Sequence, residues 1–96
     1  MSTIEIKHEF DGKRGSFYLE EGAKRFAEMV YVMAGPNKMI IEHTEVDDSL
    51  QGQGVGLKLL KELVDYVRKE EIKVIPLCPF AKAMFKKKEE LQDVLN

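Results

Sequence analysis

The run Gln51-Gly52-Gln53-Gly54-Val55-Gly56 decides how the rest of this chain is read. It stands between a β-type segment that ends near Val46 and an amphipathic segment that starts near Val55, so its glycines fall at a strand-to-helix turn. Glycine at alternate positions lets the backbone take φ > 0 freely and approach a ligand closely, while the first N–H groups of the following helix have no intrahelical partner. A pyrophosphate suits that geometry better than a neutral ligand does.

Downstream of the glycines, Leu60, Leu63, Val64 and Val67 are spaced for one helical face, with Lys58, Lys61, Glu62, Asp65 and Arg68 toward solvent; the helix is expected to end near Glu70. Ile72 to Ile75 is a short apolar run that can return as a strand parallel to the one before the glycines, through a right-handed crossover. Pro76 and Pro79 stop it. A second helix is expected from about Pro79 to Lys88, with Phe80, Met84 and Phe85 inward, and a weaker helical tail over residues 89–96.

Upstream, Met39 to Val46 has strong β character, and Gly35-Pro36-Asn37 punctuates the chain before it. Arg25 to Met33 carries apolar residues on both faces, Phe26, Val30 and Val32 on one and Ala27, Met29, Tyr31 and Met33 on the other, which predicts a central strand covered on both sides. Thr3 to His8 alternates, and Ser16 to Leu19 resumes a strand after the turn-like Asp11 to Gly15, which predicts a hairpin. The expected fold is α/β (α+β): a four-stranded antiparallel meander, a helix, a parallel fifth strand and a C-terminal helix.

With 96 residues the chain is expected to form one domain over 1–96 around one core. A formal net charge of −2, with both signs mixed along the sequence, gives no field that would gather nucleic acid. A single cysteine cannot form an internal disulfide, there is no charged and then apolar leader, and no apolar run approaches membrane-spanning length. These features lead to the expectation of a cytoplasmic protein without nucleic-acid or membrane partners. Two histidines far apart and one cysteine form no metal-ligand cluster in sequence.

Three patterns compete for the glycine run. A Walker-type phosphate loop needs Lys and then Ser or Thr after its last glycine, and Leu57 follows Gly56 instead. A dinucleotide fingerprint needs a repeated parallel architecture, whereas this chain has room for a single crossover. The third pattern, Gln/Arg-x-x-Gly-x-Gly/Ala opening a helix after an antiparallel meander, is met at every defined position from Gln51 to Gly56.

On these residues the chain resembles the GNAT superfamily of acetyl-coenzyme A dependent N-acetyltransferases, over Met39 to Phe85 by motif and over the N-terminal strands by pattern. The resemblance implies a pyrophosphate loop made of Gln51, Gly52, Gln53, Gly54, Val55 and Gly56, with Leu57 and Lys58 on the first helical turn. It also implies a pantetheine edge near Glu45 and Val46, where the fourth and fifth strands splay. The helices after the first strand and the closing strands that shape the acceptor pocket in full-size members have no counterpart here. The chain looks like the short, stand-alone members with a Cys-Pro-Phe/Tyr-Ala segment, which here is Cys78-Pro79-Phe80-Ala81.

Many members carry Asn-x-x-Ala-x-x-x-Tyr at this place, the Tyr acting as general acid. This chain has Cys78, Ala81 and Phe85 there, and Phe donates no proton. Cys78 is expected near a helix N-terminus, where the dipole favours a thiolate, as a nucleophilic or acetyl-accepting thiol or as a packed core cysteine. His43, on the fourth strand and expected to share a face with Ile41 and Glu45, is the candidate base toward an incoming amine or Cys78. Lys82, Lys86, Lys87 and Lys88 read as a solvated helix face more readily than as phosphate contacts, so coenzyme affinity is expected from the glycine loop. The function these residues point to is transfer of an acetyl group from acetyl-coenzyme A to a small-molecule or protein amine, by a monomer or homodimer. The alternative is a non-catalytic module that binds coenzyme A as a sensor or carrier.

Overall fold

Why the first strands pair where they do follows from Asp11. In a computed structural model, which describes residues 5–96, its Oδ1 accepts the N–H groups of Lys13 (2.9 Å) and Arg14 (2.8 Å) and so closes the first turn. The strands on either side are β1 (Lys7–Phe10) and β2 (Arg14–Glu21). The expected strand over Thr3 to His8 is thus displaced toward the turn, and its Thr3 and Ile4 lie outside the described residues. β3 (Lys24–Met33) and β4 (Lys38–Val46) continue the antiparallel meander, and β5 (Lys73–Pro76) joins β4 in parallel, giving the order β1-β2-β3-β4-β5. Helix α1 (Val55–Glu70) makes the crossover and α2 (Pro79–Lys87) follows β5; 3-10 turns occupy Asp48–Leu50 and Glu89–Val94.

The layers differ from the expectation in one respect. On β3, Ala27, Met29 and Tyr31 are fully buried against the helices, but Phe26, Val30 and Val32 on the other face are only half-buried. Both helices pack on the first face: Leu59, Leu60, Leu63, Val64 and Val67 of α1 and Ala81 and Phe85 of α2 join Met29, Tyr31, Met39 and Ile41 in one core. The strand is central but covered on one side, because long charged side chains lie over its back. Arg25 reaches Glu9 (2.8 Å) and Glu28 (3.6 Å) and stacks 3.8 Å from the Tyr18 ring centroid, and Arg14 meets Glu42 (2.6 Å). Their stems shelter apolar surface while the heads stay in water.

The chain after α2 runs back beside β5. Leu91 and Val94 are buried, Leu95 bridges to Val74, and the Asn96 N–H donates to the Val74 carbonyl (3.0 Å). Arg68 of α1 holds this tail through Asp93 (2.6 and 3.0 Å) and the Glu90 carbonyl (2.7 Å).

Two irregularities set up the site. The β4–β5 register ends at Ile41↔Pro76, and Pro76 has no N–H to extend it; the N–H groups of Leu77 (3.0 Å) and Cys78 (3.1 Å) both turn to the Ile41 carbonyl. Between β3 and β4, Val30 pairs with His43 and Tyr31 with Ile41, so Glu42 is an extra residue, a β-bulge. Beyond Ile41 the edge of β4 that faced β5 is left unpaired.

Candidate functional site

A cleft of about 510 Å³ lies along that unpaired edge. Its walls are Thr44 and Val46 of β4, Leu50, the loop residues Gln51, Gly52 and Gly54, the first turn of α1 (Val55, Gly56, Leu57), and Phe80, Met84, Lys87 and Lys88 from α2 and its end.

The loop is built as its composition requires. Gly52 (φ 82°) and Gly54 (φ 71°) are left-handed, and Gly54 is the N-cap of α1 without a side chain to offer the helix. The first helical hydrogen bond runs from the Lys58 N–H to the Gly54 carbonyl (3.1 Å), which leaves the amides of Val55, Gly56 and Leu57 without intrahelical partners at the positive end of the dipole. Gly56 is also buried, and a Cβ there would lie 2.7 Å from Cζ of Phe80. It sets how closely α1 and α2 approach and so the width of the cleft. Gln51 fastens the loop to the strand end through Nε2, which donates to the Val46 carbonyl (3.1 Å). Asp47 accepts from the Ser49 N–H (3.0 Å) and hydroxyl (2.6 Å), and these bonds hold its carboxyl below the usual carboxylate range.

Of the residues expected to hold a coenzyme, Val46, Gln51, Gly52, Gly54, Val55, Gly56 and Leu57 line the cleft. Gln53 turns to the Ser49 carbonyl (3.4 Å) and Lys58 is exposed outside the lining. Glu45 pairs across with Glu28, and its side chain faces the open side of the sheet. Thr44, Leu50, Phe80 and Met84 were not singled out for the site, although Phe80, Met84, Lys87 and Lys88 recur at helical spacing and could have been read as one stripe. Lys87 and Lys88, read from sequence as a solvated face, put two cations on the cleft rim.

Cys78 and His43 are not brought together. Cys78 is buried at the N-cap of α2 with no capping bond from its side chain, and its thiol donates to Thr44 Oγ1 (3.2 Å). His43 pairs with Val30 while Thr44 pairs with the core residue Met29, so the bulge places His43 on the open face and Thr44 on the helix face. The expectation that His43 shares a face with Ile41 is corrected: Ile41 is buried, and the His43 side chain is half-exposed. On the open face His43 Nε2 is 3.3 Å from Glu45, and with Glu28 the three bring ligand-type atoms within 4.8 Å of one another, a grouping that sequence distance concealed. Phe85, where many family members carry the general-acid Tyr, is 2% exposed in the core.

Strand, loop, helix and parallel strand follow in the order the motif implied, and comparison with known proteins gives the corresponding family and fold. The profile of the GCN5-related N-acetyl-transferase family matches residues 16–94. The chain belongs to that family. Among its relatives, Protein NATD1 of Xenopus tropicalis is 32% identical over 78 residues, 80% of this chain and 70% of the relative. A GCN5-like protein of Staphylococcus aureus, solved by NMR, is 40% identical with a TM-score of 0.78, covering 100% of this chain and 91% of the other. A family acetyltransferase of Elizabethkingia anophelis with acetyl-CoA bound shares the fold at 15% identity and a TM-score of 0.62, over 80% of this chain and 53% of its own. No helix among the described residues is long and apolar enough to cross a membrane.

Proposed function

We propose that the chain binds acetyl-coenzyme A in the cleft and transfers the acetyl group to an amine or another small acceptor, as a single cytoplasmic domain. The observation that carries this reading is the continuity of three features in one groove: the amides of Val55, Gly56 and Leu57 that lack intrahelical partners, the edge of β4 at Thr44 and Val46 beyond its pairing with β5, and the apolar wall of Phe80 and Met84. The amides suit a pyrophosphate, with Lys87 and Lys88 adding positive charge at the rim. The β4 edge offers backbone groups to an amide-bearing arm, and the apolar wall excludes water from it. When bound, the coenzyme supplies the thioester from which acetyl is moved. Membership of the GCN5-related N-acetyltransferase family supports the same assignment.

Linkage gives the test. A ligand bound only by the folded chain at about a hundred times its dissociation constant adds roughly 2.7 kcal/mol. At this size each kcal/mol raises Tm by about 4 to 8 °C, so saturating acetyl-coenzyme A should raise it by roughly 10 °C or more. NAD should raise it far less, since it shares the pyrophosphate but lacks the arm that fits the β4 edge. Equal shifts from both would remove the assignment.

A second reading, a coenzyme-binding module without turnover, draws on two observations: Phe85 is buried where a general acid would act, and Cys78 reaches the cleft only through Thr44. Acetyl-coenzyme A turnover against polyamines, amino acids and peptides separates the readings, because binding without turnover favours the module.

A further inference from the structure

We propose that the open face of the sheet carries a site for a divalent first-row transition-metal ion such as zinc, ligated by Glu28, His43 and Glu45 and separate from the coenzyme cleft. Glu28 and Glu45 are direct partners across the β3–β4 ladder, and His43 precedes Glu45 by two residues on the same face. All three therefore project from paired backbone. One ligand atom from each, two carboxylate oxygens and an imidazole nitrogen, lies within 4.8 Å of the others, and His43 Nε2 is 3.3 Å from Glu45 Oε1. An ion bonded at about 2.0–2.2 Å needs its ligand atoms about 3–3.5 Å apart, so rotation of side chains alone closes the shell. The side chains have room for it: His43 is 50% and Glu45 68% exposed, while Glu28, at 27%, is the firm member.

Charge and topology both point to an ion here. Like charges directly opposite on neighbouring strands repel, and Glu28 and Glu45 are so placed. The cations nearby are engaged with other partners: Arg25 gives its short bond to Glu9 (2.8 Å), stacks on Tyr18 and stands 3.6 Å from Glu28, and Lys24 pairs with Asp47 (3.4 Å). The bulge assembles the set. In a regular strand, alternation from the buried Ile41 would turn His43 and Glu45 toward the helices; the extra residue Glu42 turns them outward, onto the face where Glu28 stands. One imidazole with two carboxylates then sets the class of ion. Imidazole suits zinc and its first-row neighbours, whereas magnesium and calcium take oxygen ligands, and the two carboxylates balance the double positive charge. Three protein ligands leave a coordination position to water.

The test takes the full chain without an affinity tag, strips it with a chelator and titrates it with zinc chloride by calorimetry, wild type beside His43→Gln and Glu45→Gln. Both positions are exposed, so the variants keep the fold, which a thermal melt without metal verifies. Wild type should bind one ion per chain, and each variant should bind about tenfold more weakly or worse, since loss of an outer-shell partner alone costs that much. The imidazole nitrogen resonances identify the histidine involved: zinc should shift those of His43 and leave those of His8 in place, and magnesium chloride at the same concentration should shift neither. The proposal is overturned if wild type takes up no zinc at millimolar concentration, if His43→Gln binds as tightly as wild type, or if the shift falls on His8, each of which denies the site. Magnesium held as tightly as zinc would overturn it too, by showing carboxylates acting without the imidazole. Coenzyme binding does not enter the measurement, so failure here leaves the assignment of the cleft untouched.

Discussion

At the scale of the residue, the glycines of the motif divide their work. Gly52 and Gly54 are required by backbone angle and Gly56 by the Phe80 ring. Gly56→Ala should therefore cost about 1–3 kcal/mol through overpacking, and Phe80→Leu added to it should recover part of that loss, a coupling that denaturant melts of the two singles and the double would reveal. Gly54→Val should abolish measurable coenzyme binding, since a β-branched residue strongly resists the left-handed angle. His8 offers a pH prediction. Its ring stacks on Phe17 (centroids 4.0 Å apart) and its Nε2 is 2.5 Å from the buried Tyr31 hydroxyl; desolvation lowers its pKa, although the neighbouring Glu9 charge pulls the other way. A depressed value means that the folded state resists protonation, so stability present above about pH 6.5 is lost as pH falls through the lowered value. Thermal melts from pH 7.5 to 5 should show that decline, and His8→Phe should flatten it. In the sequence the glycines looked equivalent, because glycine composition reports freedom of the backbone and carries no sign of a ring from a helix far along the chain.

The elements were legible where their period was strong. α1 declared itself through Leu60, Leu63, Val64 and Val67, and β5 through a short apolar run closed by proline. The bulge was not legible: nothing in the residue Glu42 marks it, and the register shift shows only in the pairing of β3 with β4. Every facing assignment after Ile41 depended on it, which is why His43 was expected beside Cys78 and Thr44 was passed over. β3 was misread for a related reason, since apolar residues on two faces do not reveal whether a second layer exists to cover both. One element end yields a prediction. Glu71 closes α1 in the left-handed region (φ 57°), with the Ile72 N–H donating to the Val67 carbonyl (2.9 Å). Glycine is favoured at that position, so Glu71→Gly should stabilise the protein by up to about 1 kcal/mol, visible as a higher Tm.

For the whole molecule, the sheet has two unlike edges. Among the described residues no strand pairs with the outer side of β1, while β5 is covered by the tail that Arg68 holds through Asp93 and Glu90. A monomer or homodimer was expected, and the tail covers one of the two edges along which a second copy could pair. Arg68→Ala should speed hydrogen exchange at the Leu95 and Asn96 amides while leaving Leu63 in the core nearly as protected as before, and equal acceleration at all three would mean that the tail and core open together. The open face was the least legible part of the chain, because its charged side chains are brought together from different strands. The bulge also bears on how chains of this kind are compared. Substituting Glu42 changes one exposed side chain, whereas deleting it straightens β4 and still leaves His43 outward and Thr44 inward, since the extra residue is the one removed. Two kin that differ by a gap at this point can therefore present the same residues to the same cleft, and an alignment that closes the gap elsewhere in β4 would match outward positions with inward ones.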